Sequence, residues 1–532
     1  MRLVPDSAAT TSIEGLHSYH GTIELKPMAD GLVVINRLSL ERYLHGLNEV
    51  PVSWPAEALR AQAVAARTYA LRALARPRAG SAATYGFDIC ATVQCQVFSG
   101  ADVVRGSPRG YRWVAAVART ERMAVLHGRE PILARYHSTS GGRTFDNEQI
   151  FPSEGPFPYL KGVRSTTEER SSLYRWKVTF TRRQLTRILR AGGLWPAEHG
   201  RLRQVRTVPS SSGKHYPDSI LIGRRGRIRV TAEQVRVVAR TWAPSLFPNR
   251  YPSGAPTASG RLPETFPSNR LEMRTVDGRV VVNGRGWGHG VGMSQWGAEG
   301  MARRGASFRE ILHHYYTGVR IARVDDPGQI RVGIDWGRDE VKATGSFRLV
   351  DGRGREVVRS ALGTWRFFAA GRGAVRVRPP EGFGLPLEVG IVAAPEVVDE
   401  GEETNITVAL SKPARVLAVT AGEQRPRPSI RSAGRRSVPW TAPREPGVYE
   451  VRVRAEAGRR RSTDVTSIEV RAAPAGDDAR AAPSEPAEPE PGGFRLVLAL
   501  ALISIAVVLA TVAVTMRRWI GRGRTFRRRR RR

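Results

Sequence analysis

Cysteine is nearly absent: the chain of 532 residues has two, Cys90 and Cys95. A pair this close fits a small disulfide loop in an oxidising compartment, half of a metal site, or two inert buried thiols, and excludes a larger disulfide framework. Acidic residues are also short, 49 against 84 Lys and Arg, for a formal net charge of +35. A field of that sign attracts polyanions such as nucleic acid, anionic lipid or the charged polymers of a cell wall, and does not choose among them. No internal repeat is evident, which argues against a solenoid. Residues 1–10 lack an apolar stretch, so no export signal is visible there.

A long hydrophobic run is missing until the end of the chain. Residues 496–516 (LVLALALISIAVVLATVAVTM) carry no charge and are long enough to cross ~30 Å of hydrocarbon as a helix. Ten arginines follow from Arg517 onward. The positive-inside rule then places the basic tail in the cytoplasm and everything before the run outside. The expected localisation is a cell membrane, single-pass, with the bulk of the chain extracytoplasmic. An exported domain of that size implies a start upstream of Met1, or insertion directed by the tail helix.

Hydrophobic periodicity divides the rest. Residues 20–45 alternate as strands do, with a turn at Ala29-Asp30-Gly31. Pro55 then opens a helical stretch over 56–75, where its missing N–H does no harm. Basic residues 182–192 and the SFREILHHYY segment (307–316) read as helices, and 220–230 and 271–282 as strands. The expected fold class is α+β over 12–325, with a small β extension over 326–383. Over 384–472 short alternating segments recur at about ten-residue spacing, which predicts an immunoglobulin-like β-sandwich. A Pro/Ala/Glu linker (473–493), the transmembrane helix (494–516) and the basic tail (517–532) complete the chain.

Four blocks stand out: LERYLHGLNEVPVSWPAEALRAQAVAARTYAL (40–71), CATVQCQVFSG (90–100), ARYHSTSGGRT (134–144) and GRGWGHGVGMSQWG (284–297). In the first, Pro51 biases Val50 toward an extended conformation. Glu49 therefore sits before the helix and not in it. If Val50, Val52 and Trp54 also surround it in space, desolvation keeps its carboxyl protonated near neutral pH, as a general acid requires. The third block places His137 beside Ser138, Thr139 and Ser140. Adjacent residues rarely meet the geometry of a nucleophile and its base, and no GxSxG elbow is present, so a substrate-lining role is expected over a serine nucleophile. The alternate glycines of the fourth block, with Trp287, His289, Ser294 and Gln295, suit a groove wall. They do not suit a dinucleotide loop, because no acid follows about 20 residues on. His313 and His314 are neighbours on a helix and cannot easily share one metal ion.

Taken in this order, the blocks resemble the SpoIID/LytB family, the stage II sporulation protein D and amidase-enhancer proteins, over residues 20–325. The family includes lytic transglycosylases acting on peptidoglycan glycan strands, preferentially strands stripped of stem peptides. The resemblance implies that Glu49 is the catalytic acid, with Arg67 and Tyr69 joining the residues of the third and fourth blocks as substrate-binding candidates. One carboxylate suffices for such chemistry, since the sugar's own 6-hydroxyl replaces water; Asp88 is the nearest other acid in a matching block. Some family members hold zinc in the second block, with two histidines beside the cysteines. Here Gln94 and a stretch without histidine leave that ligand set incomplete, so a Cys90–Cys95 disulfide is expected, with no metal or other cofactor. Expected partners are glycan strands, the membrane and an amidase, with no nucleic acid, because the basic run sits after the span and no RNA signature accompanies it. The competing reading is a non-catalytic wall-binding activator of an amidase.

Overall fold

A computed structural model describes residues 1–6, 9–211, 216–251, 262–371, 373–384, 387–420, 429–458 and 460–472. The expected linker, transmembrane helix and basic tail lie outside the described residues. Among the described residues, no helix is long and apolar enough to cross a membrane.

The hairpin Thr22–Met28 and Gly31–Ser39 forms where the alternation predicted it. Side chains of Gly31–Ser39 point alternately to two sides. Leu32, Val34 and Leu38 join a large core that includes Leu59, Ala63 and Ala66 of the helix Ala56–Leu74, whereas Val33 and Ile35 pack on Phe87 and Cys90 behind the sheet. That helix is apolar on more than one face because it is shared. Its Ala61, Val64 and Ala65 belong to a second core built mostly from residues 125–321.

The segment expected as a separate β extension, 326–383, is part of the same sheet. Gln329–Arg338 pairs with Gly31–Ser39, and Glu340–Val350 with Arg2–Pro5, a strand that lies before the expected start at residue 12. The sheet runs Ala374–Arg378, Glu356–Ala370, Glu340–Val350, Arg2–Pro5, Thr22–Met28, Gly31–Ser39, Gln329–Arg338, Ile89–Cys90. Pairing across some 300 residues leaves no local mark, so periodicity finds the strands and not their neighbours.

In the middle of the chain, 271–282 is a hairpin of Leu271–Val276 and Arg279–Gly284, turned at Asp277-Gly278 with both residues at positive φ. Asp-Gly suits that turn because both positions require left-handed backbone. Thr181 and Ser307 cap the helices Arg182–Ala191 and Phe308–Tyr315 through capping boxes with Gln184 and Glu310. Residues 387–471 form two facing sheets, of three and five strands, around Ile406, Val408, Trp440, Val416, Val453 and Ile468. This all-β part follows an α+β body, and Arg415 joins the two by an ion pair to Asp6 at 2.9 Å.

Candidate active site

Glu49 lies between the helices Leu40–His45 and Ala56–Leu74. Two backbone contacts fix it: Leu47 bridges to Phe98, and the Asn48 N–H donates to the Val97 carbonyl at 2.9 Å. The Val97 N–H then donates to Glu49 Oε1 at 2.6 Å. The other carboxylate oxygen meets Gln295 Nε2 at 3.4 Å, and the Tyr136 hydroxyl also hydrogen-bonds the carboxyl. Behind these stands Gln96, buried, which donates to the Tyr136 hydroxyl and accepts from Tyr43, each at 2.8 Å. Val50 and Trp54 are buried, and Trp54 packs on Trp296 with ring centroids 5.0 Å apart.

Burial pushes the Glu49 carboxyl above the usual carboxylate range, against hydrogen bonds from Val97, Tyr136 and Gln295 that favour the anion. No second carboxylate is among the groups that set this balance. The residue is only half-buried by accessible surface, so packed protein surrounds the carboxyl without sealing it. A proton donor that can be reached is what this arrangement supplies.

The hydroxyls of the third block point elsewhere. Thr139 and Ser140 each donate to Glu168 at 2.7 Å, and the Gly141 N–H donates to it at 2.8 Å. Ser165 and Ser294 add side-chain hydrogen bonds. Glu168 is fully buried. Burial alone would raise its pKa, but the hydroxyl donors outweigh that and hold it below the usual range. The Ser/Thr-Gly-Gly run is thus an anion cradle inside the protein. Thr139, Ser140 and Ser294, expected to line a sugar groove, are buried on Glu168 instead.

The fourth block runs along the third. Thr139 and Trp287 pair, Phe145 pairs with Val291, and Met293–Ser294 pairs with Tyr136–His137. The alternate glycines are required by this contact. A Cβ on Gly286 would lie 2.6 Å from the Thr139 carbonyl oxygen, and one on Gly292 only 2.1 Å from that of Arg135. His137 is buried, with Nδ1 on the Val291 carbonyl at 3.1 Å, and desolvation pushes its pKa down to about 4. His289 packs 5.5 Å from it, also driven well below its ordinary value by burial. Both are neutral rings in packing positions. Trp287 donates to Glu264 at 3.1 Å, and Ser138 remains half-exposed.

A family model for stage II sporulation protein, SpoIID, matches residues 28–127. An uncharacterized protein of Brachyspira hyodysenteriae is 31% identical over 307 residues, covering 57% of this chain and 72% of the relative. The chain belongs to the SpoIID family. Stage II sporulation protein D of Bacillus subtilis is 27% identical over 299 residues (55% of this chain, 76% of the relative). The amidase enhancer of the same organism is 25% identical over 301 residues, 52% of this chain and 39% of that protein.

Within this SpoIID chain, Arg67 is fully buried. It forks onto Glu41 with two contacts of 2.7 Å and donates to the carbonyls of Met123 and Val117, so it braces the helix against its neighbours and faces no groove. Tyr69 is half-buried and close enough for the Glu49 charge to act on its hydroxyl. Asp88 pairs with Arg78 and accepts from the Arg331 N–H, a structural post. His314 donates through Nε2 to the Arg164 carbonyl at 2.7 Å.

Cys90 and Cys95 are joined in a disulfide, which leaves neither thiol free to ligate. The loop it closes leads directly into Gln96 and Val97. Replacing both cysteines by serine is expected to lower stability by about 2 kcal/mol on chain-entropy grounds, read by chemical denaturation. Sequence reasoning missed Gln96, Tyr43 and Glu168, and quoted Tyr136 without assigning it a role. The first two sit inside the matching blocks, where a position next to Cys95 was the available signal for Gln96. Glu168 lies in no block.

Proposed function

We propose that this protein is a peptidoglycan lytic transglycosylase held at the membrane by residues 494–516, acting outside the cytoplasm on glycan strands stripped of stem peptides. The observation that carries the reading is the Glu49 carboxyl, raised by burial, reachable, and without a second carboxylate among the groups acting on it. Protonated Glu49 gives its proton to the glycosidic oxygen as the bond to the anomeric carbon breaks. The resulting carboxylate takes the proton of the sugar's 6-hydroxyl as that oxygen bonds to the same carbon, leaving a 1,6-anhydro end and restoring the acid. The Val97 N–H, Tyr136 and Gln295 steady the carboxylate between the two steps. Ordinary glycosidases need a second carboxylate for water or for a covalent intermediate.

The relative named amidase enhancer supports a second reading, in which the chain binds wall glycan and activates an amidase. One digestion separates the two. Purified protein is incubated with intact and peptide-stripped peptidoglycan, and the products are read by mass spectrometry. Glu49-dependent 1,6-anhydro ends are expected. Reducing ends would indicate hydrolysis, and glycan binding without cleavage would leave the amidase-activating role.

The raised pKa also has a sign for stability. A carboxyl whose folded pKa exceeds its unfolded value contributes most when protonated, and that contribution is lost as pH rises through the folded pKa. Glu49→Gln, which cannot ionise, is therefore expected to raise Tm at neutral pH, with the gain vanishing in acid. A thermal melt series from acid to neutral pH checks this.

A further inference from the structure

The sheet formed by Trp176–Thr181, Arg279–Gly284 and Leu271–Val276 buries Val178, Val282 and Met273 on one side. On its other side Lys177, Asn283 and Glu272 stand directly across from one another and are exposed. That face forms a wall of an open groove of about 770 Å³, completed by Gly141, Gly142 and Tyr174. Five cations line it, Arg143, Arg175, Lys177, Arg270 and Arg285, against the one acid Glu272. Arg270 spends one nitrogen on the carbonyls of Ser140, Gly141 and Arg143, which orient it without neutralising it. The charges of Arg285 and Arg143 both bear on it, opposed in part by the buried Glu168 carboxylate. Among the described residues none of the five forms an ion pair with a carboxylate. Guanidiniums gathered in a concave site without direct carboxylate partners favour a planar anion held by paired N–H donors.

The groove is also tied to Glu49 through Tyr136, which hydrogen-bonds that carboxyl. Gly141 is five residues beyond Tyr136, and five extended residues span at most about 18 Å. We propose that this groove is a subsite for carboxylate-bearing sugars of the glycan chain on which Glu49 acts, with Arg175, Lys177 and Arg285 on the carboxylates and Tyr174 against a sugar face. The assignment rests on the glycan reading given above. It adds a requirement for charge on the chain away from the bond that is cut.

Binding is measured with the full chain carrying Glu49→Gln, so that strands stay intact. Peptide-free glycan oligosaccharides with free carboxylates are titrated beside the same oligosaccharides amidated at those carboxylates. Amidation is expected to weaken binding about tenfold, as is Arg175→Gln/Lys177→Gln/Arg285→Gln toward the free carboxylates, with no further loss toward amidated chains and a clear salt dependence. A charge-matched control, Arg119→Gln/Arg129→Gln/Arg183→Gln, should bind as the parent does. Equal binding by parent and groove variant, an equal loss in the control, or no binding to either glycan overturns the subsite. So does tighter groove-dependent binding of poly(glycerol phosphate), which would make a phosphate polymer the occupant. Because cleavage is never read, a protein that binds through the groove yet cuts nothing sinks the catalytic reading and leaves this one standing.

Discussion

Glu49→Gln should abolish release of 1,6-anhydro ends, a loss of about 10³-fold or more, while the protein folds and binds glycan. General acid or base assistance contributes about 10²–10⁴-fold in one step, and here the same group serves two, which places the loss toward the upper end. Glutamine keeps the shape. Its carbonyl can still accept the Val97 N–H that Glu49 accepts at 2.6 Å, and its amide can face the Tyr136 hydroxyl and Gln295 after modest reorientation. What it lacks is a proton acidic enough to leave with the glycosidic oxygen. Glu49→Asp is a finer probe, because it retains the acid but draws it back by one methylene. A displacement on the order of 1 Å costs about 10²-fold. Product analysis of both variants at matched protein concentration tests the pair; undiminished anhydro-product formation by Glu49→Gln would rule this carboxyl out as the acid.

The largest stability loss is expected at Glu168. Its replacement by alanine leaves the hydroxyls of Thr139, Ser140, Ser165 and Ser294 and the Gly141 N–H converging on an empty, buried space. Each unsatisfied buried donor costs about 1–3 kcal/mol, partly relieved where a hydroxyl can turn away. A net loss of about 3–5 kcal/mol follows, comparable to breaking a buried charged pair. Glu168→Gln should fall between, since it keeps one acceptor but turns an N–H₂ toward donors. Equilibrium denaturation followed by far-UV circular dichroism reads both. The same geometry predicts that Ser140→Ala lowers stability by about 1 kcal/mol without changing glycan affinity. An affinity loss at constant stability would return that hydroxyl to the substrate.

Legibility from sequence tracked the range of the interaction. The helix Ala56–Leu74, the capped helices and the hairpin at Asp30 are set by neighbours within a few residues, and they formed where their patterns placed them. Glu49 was singled out by the resemblance of its block, and its place before the helix was legible because Pro51 keeps it off the helix. Its hydrogen-bond partners were not, since Val97, Tyr136 and Gln295 lie 48, 87 and 246 residues away. The third block shows the opposite failure. A run of small hydroxyl residues and glycines has the same composition whether it cradles a sugar or a carboxylate, and Glu168, which decides between them, carries no motif. The alternate glycines were read as a groove wall, and each is a site where close packing leaves no room for a side chain, against backbone at Gly286 and Gly292 and against the side chains of Trp176, His137 and Phe145 at Gly284, Gly288 and Gly290. Arg67 illustrates the same limit: nothing in its vicinity along the chain announces that Glu41 and the carbonyls of Met123 and Val117 share its guanidinium.

The pairing of the glycine run with residues 135–145 also sets a schedule. Gln295 and the strand that holds Tyr136 in place come from opposite sides of a 150-residue interval, and Gly31–Ser39, which leads into the helix before Glu49, gains its second neighbour only with Gln329–Arg338. Contacts of such separation form after their intervening chain has been ordered, because loop closure must be paid before they reward it. A ribosome or a translocation pore that delivers the chain from its N-terminus would therefore present Glu49 early, exposed and without its partners. Its proton affinity would then be that of an ordinary carboxyl in water. The raised proton affinity comes into being only when some 340 residues have emerged, so this carboxyl stays an ordinary one for most of the time the chain is being made.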